Sequence, residues 1–156
     1  MTPTQELRFL ILAAQRAGGR MIAAGLKPLA LTPAQAEVLQ VLDEFQPLSL
    51  AELGGLLVCE TGSPSRLVAG MVRRGLVARS TSPEDGRIAA LSLSAEGRAL
   101  VERLREMDDH LAGKIAASLS RDETQALVAG LRKLLCEVPS GQAVARRRTR
   151  GGLAQQ

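Results

Sequence analysis

Apolar residues recur along this chain mostly at steps of three and four, the spacing of helices with one buried face. Leu7, Leu10, Ile11, Ala14, Ala17, Met21 and Ile22 make such a face in a first helix, predicted from Pro3 to about Leu26. Phe9, Leu12 and Ala13 carry it nearly around, and a helix apolar on most sides is buried on most sides. In so small a chain a second copy of the protein is the simplest cover. Thr32-Pro33-Ala34-Gln35 opens a second helix with Val38, Leu39, Val41 and Leu42, which Gln46-Pro47 ends. At the far end, Leu100, Leu104, Met107, Leu111 and Ile115 predict a long helix from Ala95 to about Leu119. Leu127, Val128, Leu131, Leu134 and Leu135 then predict a last one, opened by the Ser120–Glu123 capping box and ending near Glu137.

The middle, Ser49 to Arg98, changes rhythm. Ser49 and Glu52 form an S-x-x-E capping box for a short helix with Leu50, Leu53, Leu56 and Leu57 on one side. Its Gly54-Gly55 pair permits close approach by a neighbour. A polar break leads to a second short helix, about Gly62 to Arg74, with Pro64 tolerated in its first turn. At about 100° per residue, Leu67, Val68, Met71 and Val72 share one arc, opposite Ser63, Arg66, Ala69, Gly70 and Arg73. Small side chains, a hydroxyl and arginines are what a helix needs to approach base edges in the major groove, and an ordinary amphipathic helix with a solvated basic face is the alternative reading of the same pattern. Gly75 ends it. Leu76–Ser80 and Ile88–Leu93 then read as strands around the turn Ser82-Pro83-Glu84-Asp85-Gly86-Arg87, and Leu48 could add a very short third strand. Helix, turn, helix and hairpin in that order make a winged helix-turn-helix.

With these residues in register, the stretch resembles the MarR family of bacterial transcription regulators. The resemblance rests on RLVAGMVRRGLV (66–77), SPEDGR (82–87) and LSLSAEGRAL (91–100). It covers the reading lobe closely, and the other helices by order and length. It implies a mainly α fold with a small β-wing: a winged helix-turn-helix lobe over about 32–98, and dimerisation helices over about 3–26 and 95–137. Residues 1–137 would be one domain. The family's Asp-x-Arg stands at Asp85-Gly86-Arg87, so Arg87 would enter the minor groove and Asp85 would orient it or a neighbouring arginine. Thr61, Ser63, Ser65 and Arg66 are candidates for base or phosphate contact. Arg73, Arg74 and Arg79 would contact phosphate or hold the lobe together. The implied protein is a homodimeric repressor on pseudo-palindromic double-stranded DNA, released by a small anionic or phenolic ligand. Arg16 and Arg20, on an otherwise apolar first helix, could hold such a ligand's carboxylate, although a solvated or interface role is favoured for each.

Charge adds less than its total suggests. Of a net +4, Arg146, Arg147, Arg148 and Arg150 supply the whole excess, and the remaining 16 basic residues balance 16 acidic ones. The local excess within 61–98, six arginines against Glu84, Asp85 and Glu96, is the better footprint for DNA. Residues 138–156, poor in apolar groups, read as a disordered basic tail. With aromatics at 1%, stacking platforms for single strands are lacking. One histidine, His110, gives little support for metal sites or catalytic triads, so neither an enzyme nor a cofactor is expected. No stretch suits a membrane span or a signal peptide, and a cytoplasmic protein is expected. Cys59 and Cys136 read as structural thiols; an oxidation sensor at Cys59 is the alternative, as is a winged helix that binds protein and not DNA.

Overall fold

The first helix, α1 (Pro3–Leu26), starts at a reciprocal cap: the Gln5 amide donates to Thr2 Oγ1 and the Thr2 amide to Gln5 Oε1. A 3-10 turn, Lys27–Leu29, follows and closes at Ala30 in the left-handed region (φ 51°). In this computed structural model the described residues are 1–59, 62–81 and 89–153. They fall into two units, Met1–Pro33 and Ala34–Gln156. Along α1 only Leu26 is buried, while Phe9 and Leu10 are 50% and 58% exposed.

The second unit holds α2 (Pro33–Phe45), α3 (Leu50–Leu56), α4 (Pro64–Arg73), β1 (Val77–Thr81), β2 (Ala89–Leu93), α5 (Ala95–Ser118), α6 (Arg121–Leu135) and α7 (Pro139–Leu153). Its core joins Val38, Leu39 and Leu42 of α2 to Leu53 of α3, Val68 and Met71 of α4, Leu91 of β2 and Leu104 of α5, all fully buried. Polar contacts tie α2 to α5: Gln40 Nε2 donates to Asp108 (2.6 Å), and Arg105 pairs with Asp43 (2.6 Å). The strands are antiparallel, with Val77 opposite Leu93 and Thr81 opposite Ala89. In place of the expected very short third strand, Leu48 forms a single β-bridge, exchanging two backbone hydrogen bonds with Leu91.

The S-A-E-G stretch at 94–97 locks the wing to α5. Ser94 Oγ accepts from the Gly97 amide and donates to the Gly75 carbonyl. A Cβ on Gly97 would stand 2.2 Å from the Leu76 carbonyl oxygen, so only glycine allows α5 this close to the lobe.

One expectation fails. The stretch 138–156 reads as a disordered tail, yet Pro139–Leu153 forms α7. Little apolar surface holds it, Ala143 being its one buried hydrophobic among the described side chains. It is held by arginines bonded to groups far away in sequence, which composition cannot register.

Candidate nucleic-acid interface

The second helix of the helix-turn-helix, α4, is defined at both ends. Ser63 caps it, its Oγ accepting from the Arg66 amide (3.4 Å), with Pro64 in the first turn. At the other end Gly75 takes φ +72°, the Gly75 amide bonds the Val72 carbonyl, and the Leu76 amide bonds that of Met71. That is a Schellman closure, which needs a residue free to adopt left-handed geometry. Val68 and Met71 are buried, fixing the helix's rotation.

That rotation decides what is presented outward. Ser65 and Arg66 in the first turn are exposed, as are Arg73 and Arg74 at the end and Arg79 on β1. Ser63 is half-buried and its hydroxyl serves the cap. Among the described residues Arg66, Arg73 and Arg79 make no ion pair. Arg74 differs: its Nη1 donates to Gln35 Oε1 (3.1 Å), tying the end of α4 to the start of α2. Ser65, Arg66, Arg73 and Arg79 are thus exposed, whereas Arg74 has a contact within the lobe. Thr61, Asp85 and Arg87 lie outside the described residues, and so does the turn that carries the Asp-x-Arg triplet.

Glu37 is the residue that the sequence reading missed. Buried on α2, its carboxylate accepts from the amides of Val58 (2.7 Å) and Cys59 (2.8 Å), the backbone between α3 and α4. Arg147 of α7 pairs with the same carboxylate. A signal existed: Glu37 shares the helical spacing of Val41 and Phe45, an apolar arc where a carboxylate must find partners. Beside it, the Cys59 thiol is pushed up from 9.0 to about 11 by burial and by the neighbouring Glu37 carboxylate. A reactive sensor thiol needs the opposite shift. Cys136 is exposed and His110 lies on an exposed turn of α5.

Arg16 and Arg20 are both exposed on α1. Among the described residues no group of three His, Cys, Asp or Glu could hold a metal ion, and no helix is long and apolar enough to cross a membrane.

Known proteins share this arrangement. A sequence model of the MarR family matches residues 31–89, from just before α2 to the start of β2. The chain is 28% identical over 102 residues to the transcriptional repressor IacR of Pseudomonas putida, a match spanning 65% of this chain and 61% of that protein, under two thirds of its length. To the transcriptional regulator TtmR of Methylorubrum extorquens it is 30% identical over 133 residues, covering 85% of this chain and 67% of the relative. A crystal structure of a cysteine-to-serine variant of MarR from E. coli, complexed with operator DNA, matches with a TM-score of 0.72 at 27% identity. That match covers 83% of this chain and 94% of the other. With its lobe, wing strands and flanking helices in that family's order, the chain belongs to the MarR family of DNA-binding transcription regulators, whose members are not enzymes.

Proposed function

We propose that the protein is a homodimeric repressor that reads a pseudo-palindromic operator and leaves it when a small ligand binds. The observation that carries this reading is the outward face of α4, where Ser65, Arg66 and Arg73 stand exposed on a helix whose other face is locked into the core. Two such helices related by a two-fold axis would enter successive major grooves about 34 Å apart. Ser65 and Arg66, and by the resemblance Ser63 and Thr61, would meet bases or phosphates. Arg73 and Arg79 would meet phosphates, and Arg74 would hold the lobe. Arg87, oriented by Asp85, would enter the minor groove. IacR is named a repressor and the E. coli MarR variant holds operator DNA, and both support the proposal.

Dimerisation is supported by apolar side chains left uncovered in the single chain: Leu127, Leu131 and Leu134 on α6, and separately Phe9 and Leu10 on α1. A small anionic or phenolic ligand held by Arg16 and Arg20 would shift the population between dimers whose lobes match the half-site spacing and dimers whose lobes do not. A cytoplasmic location belongs to the same reading.

Selection from a random duplex library at ~150 mM salt tests it, with wild type beside Arg66→Ala and Arg87→Ala, since each lost phosphate contact should also lower the salt slope by about one. The expected product is a palindrome with half-sites one helical turn apart, bound more weakly by both variants. A well-folded dimer that enriches no sequence, with or without candidate ligands, would remove DNA reading from this chain.

A further inference from the structure

The C-terminal helix lies antiparallel along α3 and holds both of its ends. At the C-terminal end, Arg146 Nη1 donates to the Gly55 carbonyl (2.9 Å) and Arg147 Nε to the Leu56 carbonyl (2.7 Å). Those carbonyls belong to the last turn of α3, where a helix has no partners of its own to offer. The next residue, Leu57, is extended (φ −77°, ψ 132°), so no left-handed closure follows α3 as one follows α4. Two cations from α7 take its place, at the end where the helix dipole favours positive charge. At the N-terminal end, Arg150 Nη2 reaches Glu52 Oε1 (3.0 Å), and the other oxygen of that carboxylate holds the Ser49 amide.

The central contact is the pair of Arg147 with Glu37, whose side chains are 26% and 9% exposed. Glu37 spends its two oxygens on the Val58 and Cys59 amides, in the connection that delivers the chain into α4. A carboxylate this buried needs a cation to remain in place. Arg147 is the cation supplied, from a helix outside the helix-turn-helix. The path from α6 to α7 is itself tight: a Cβ on Gly141 would stand 1.9 Å from the Leu135 carbonyl oxygen.

We propose that α7 is a clasp that positions the recognition helix: Arg147, acting through Glu37, fixes the backbone that leads into α4, while Arg146 and Arg150 seat α7 on α3. The operator part of this inference rests on the proposed DNA reading. Arg147 is a positioning residue and touches no DNA. The clasp also makes the attitude of α4 conditional on a helix that continues directly from α6, so a disturbance of α6 has a covalent route to the reading lobe.

The test uses the full chain as wild type, Arg147→Gln, Arg147→Lys, Glu37→Gln and the double variant Glu37→Gln with Arg147→Gln. Arg148→Gln is the control, because Arg148 is exposed on the same helix and outside the clasp. Two quantities are read: hydrogen exchange at the Val58 and Cys59 amides, and binding to the selected operator and to a scrambled duplex over a salt series. Arg147→Gln should speed exchange at those two amides and lower operator affinity about tenfold. Its salt slope should stay at the wild-type value, because no phosphate contact is lost. The double variant should cost no more than the larger single loss, since both remove one interaction. Arg148→Gln should leave both readouts near wild type. Unchanged exchange at both amides in Arg147→Gln would overturn the proposal. So would a slope lowered by about one with equal losses on both duplexes, the mark of a phosphate contact. Should Arg147→Gln fail to fold, Arg147→Lys carries the same two readouts, since it keeps the charge and loses the fork that spans Glu37 and Leu56. If wild type selects no duplex, the DNA reading falls while exchange at Val58 and Cys59 still decides the clasp.

Discussion

The reading lobe and α6 are built from similar sequence material with opposite results. Both have leucines and valines at steps of three and four, and both contain an S-x-x-E box that is formed in full, at α3 in the lobe and at the start of α6. In the lobe, Leu39, Leu42, Leu53, Val68, Met71 and Leu91 are wholly buried. In α6 no residue is buried, and Leu127 and Leu134 remain 50% and 60% exposed. A helix of this length with one apolar stripe gains most of its stability from covering that stripe. The lobe completes its core from within one chain, whereas α6 leaves its stripe uncovered there. Patterning therefore states where a core side is, and burial states whether the chain can finish it alone.

The largest expected effect sets those two regions against each other. Leu91→Ala truncates a wholly buried side chain of β2, at the residue whose backbone bridges to Leu48, and should lower the unfolding free energy by about 2–5 kcal/mol. Leu127→Asp combined with Leu131→Asp should leave the lobe folded and shift the protein from dimer to monomer in sedimentation equilibrium. The wild-type melting temperature should rise with protein concentration and that of the double variant should not. A wild type that sediments as a monomer, or a charged α6 that still dimerises, would break the comparison.

How much of this was legible depends on how far each signal reaches along the chain. The wing strands, expected at 76–80 and 88–93, form at Val77–Thr81 and Ala89–Leu93. The pairing at Leu48, which is a single bridge and not a full strand, the Gly75 stop and the S-A-E-G junction were readable because each depends on residues close together in sequence or on a motif in register. Arg66 and Arg73 could be placed on an outward arc for the same reason, whereas the helical periodicity did not place Ser65 or Arg79 there. Glu37 and α7 could not. Their partners lie across most of the chain, and the arginines that make α7 a helix are the residues that lower its hydrophobicity and suggest disorder. A composition rule counts the charges and cannot see that each has a carbonyl or carboxylate waiting.

Two glycines on α5 sharpen the comparison at a smaller scale. Gly97 meets the lobe and Gly113 meets open space in the single chain. Gly97→Ala should cost about 1–3 kcal/mol, since the Leu76 backbone must move to admit a methyl group. Gly113→Ala should instead stabilise by up to about 1 kcal/mol through helix propensity. Chemical denaturation of both variants measures the pair. A destabilising Gly113→Ala would mean that the partner subunit packs there, which would extend the shared core from α6 onto α5.

The matching caps come next in size. Ser49→Ala should cost about 1 kcal/mol at neutral pH. The Ser49 amide, then Arg150, hold the Glu52 carboxyl below its usual range. A carboxyl lowered on folding contributes stability that is present above its ordinary value and lost as pH falls through the lowered one. Acid titration of wild type against Glu52→Gln should therefore converge at low pH. Ser120→Ala lacks a second helix docked on its Glu123, so it should cost less than Ser49→Ala. An equal or larger loss at Ser120 would indicate that the α6 cap too has a partner, contributed by another subunit.

The smallest effect is expected at the two cysteines, one in each region. With its thiol raised to about 11, Cys59 at pH 8 should hold roughly a hundredfold less thiolate than an unperturbed cysteine. Alkylation in Cys136→Ser, which leaves Cys59 as the one thiol, should be slow at pH 8 and accelerate only toward pH 11. The stability sign follows from the same shift. Above about pH 9 the unfolded chain becomes a thiolate while the folded lobe keeps its thiol, so stability is intact below that value and declines as pH rises through about 11. Peroxide should leave operator affinity of Cys136→Ser unchanged. Rapid alkylation at neutral pH, with affinity lost to peroxide, would make Cys59 a sensor. The turn held by Glu37 would then be the mobile part of the lobe, and the contrast between a finished lobe and an unfinished α6 would no longer hold at its most buried polar contact.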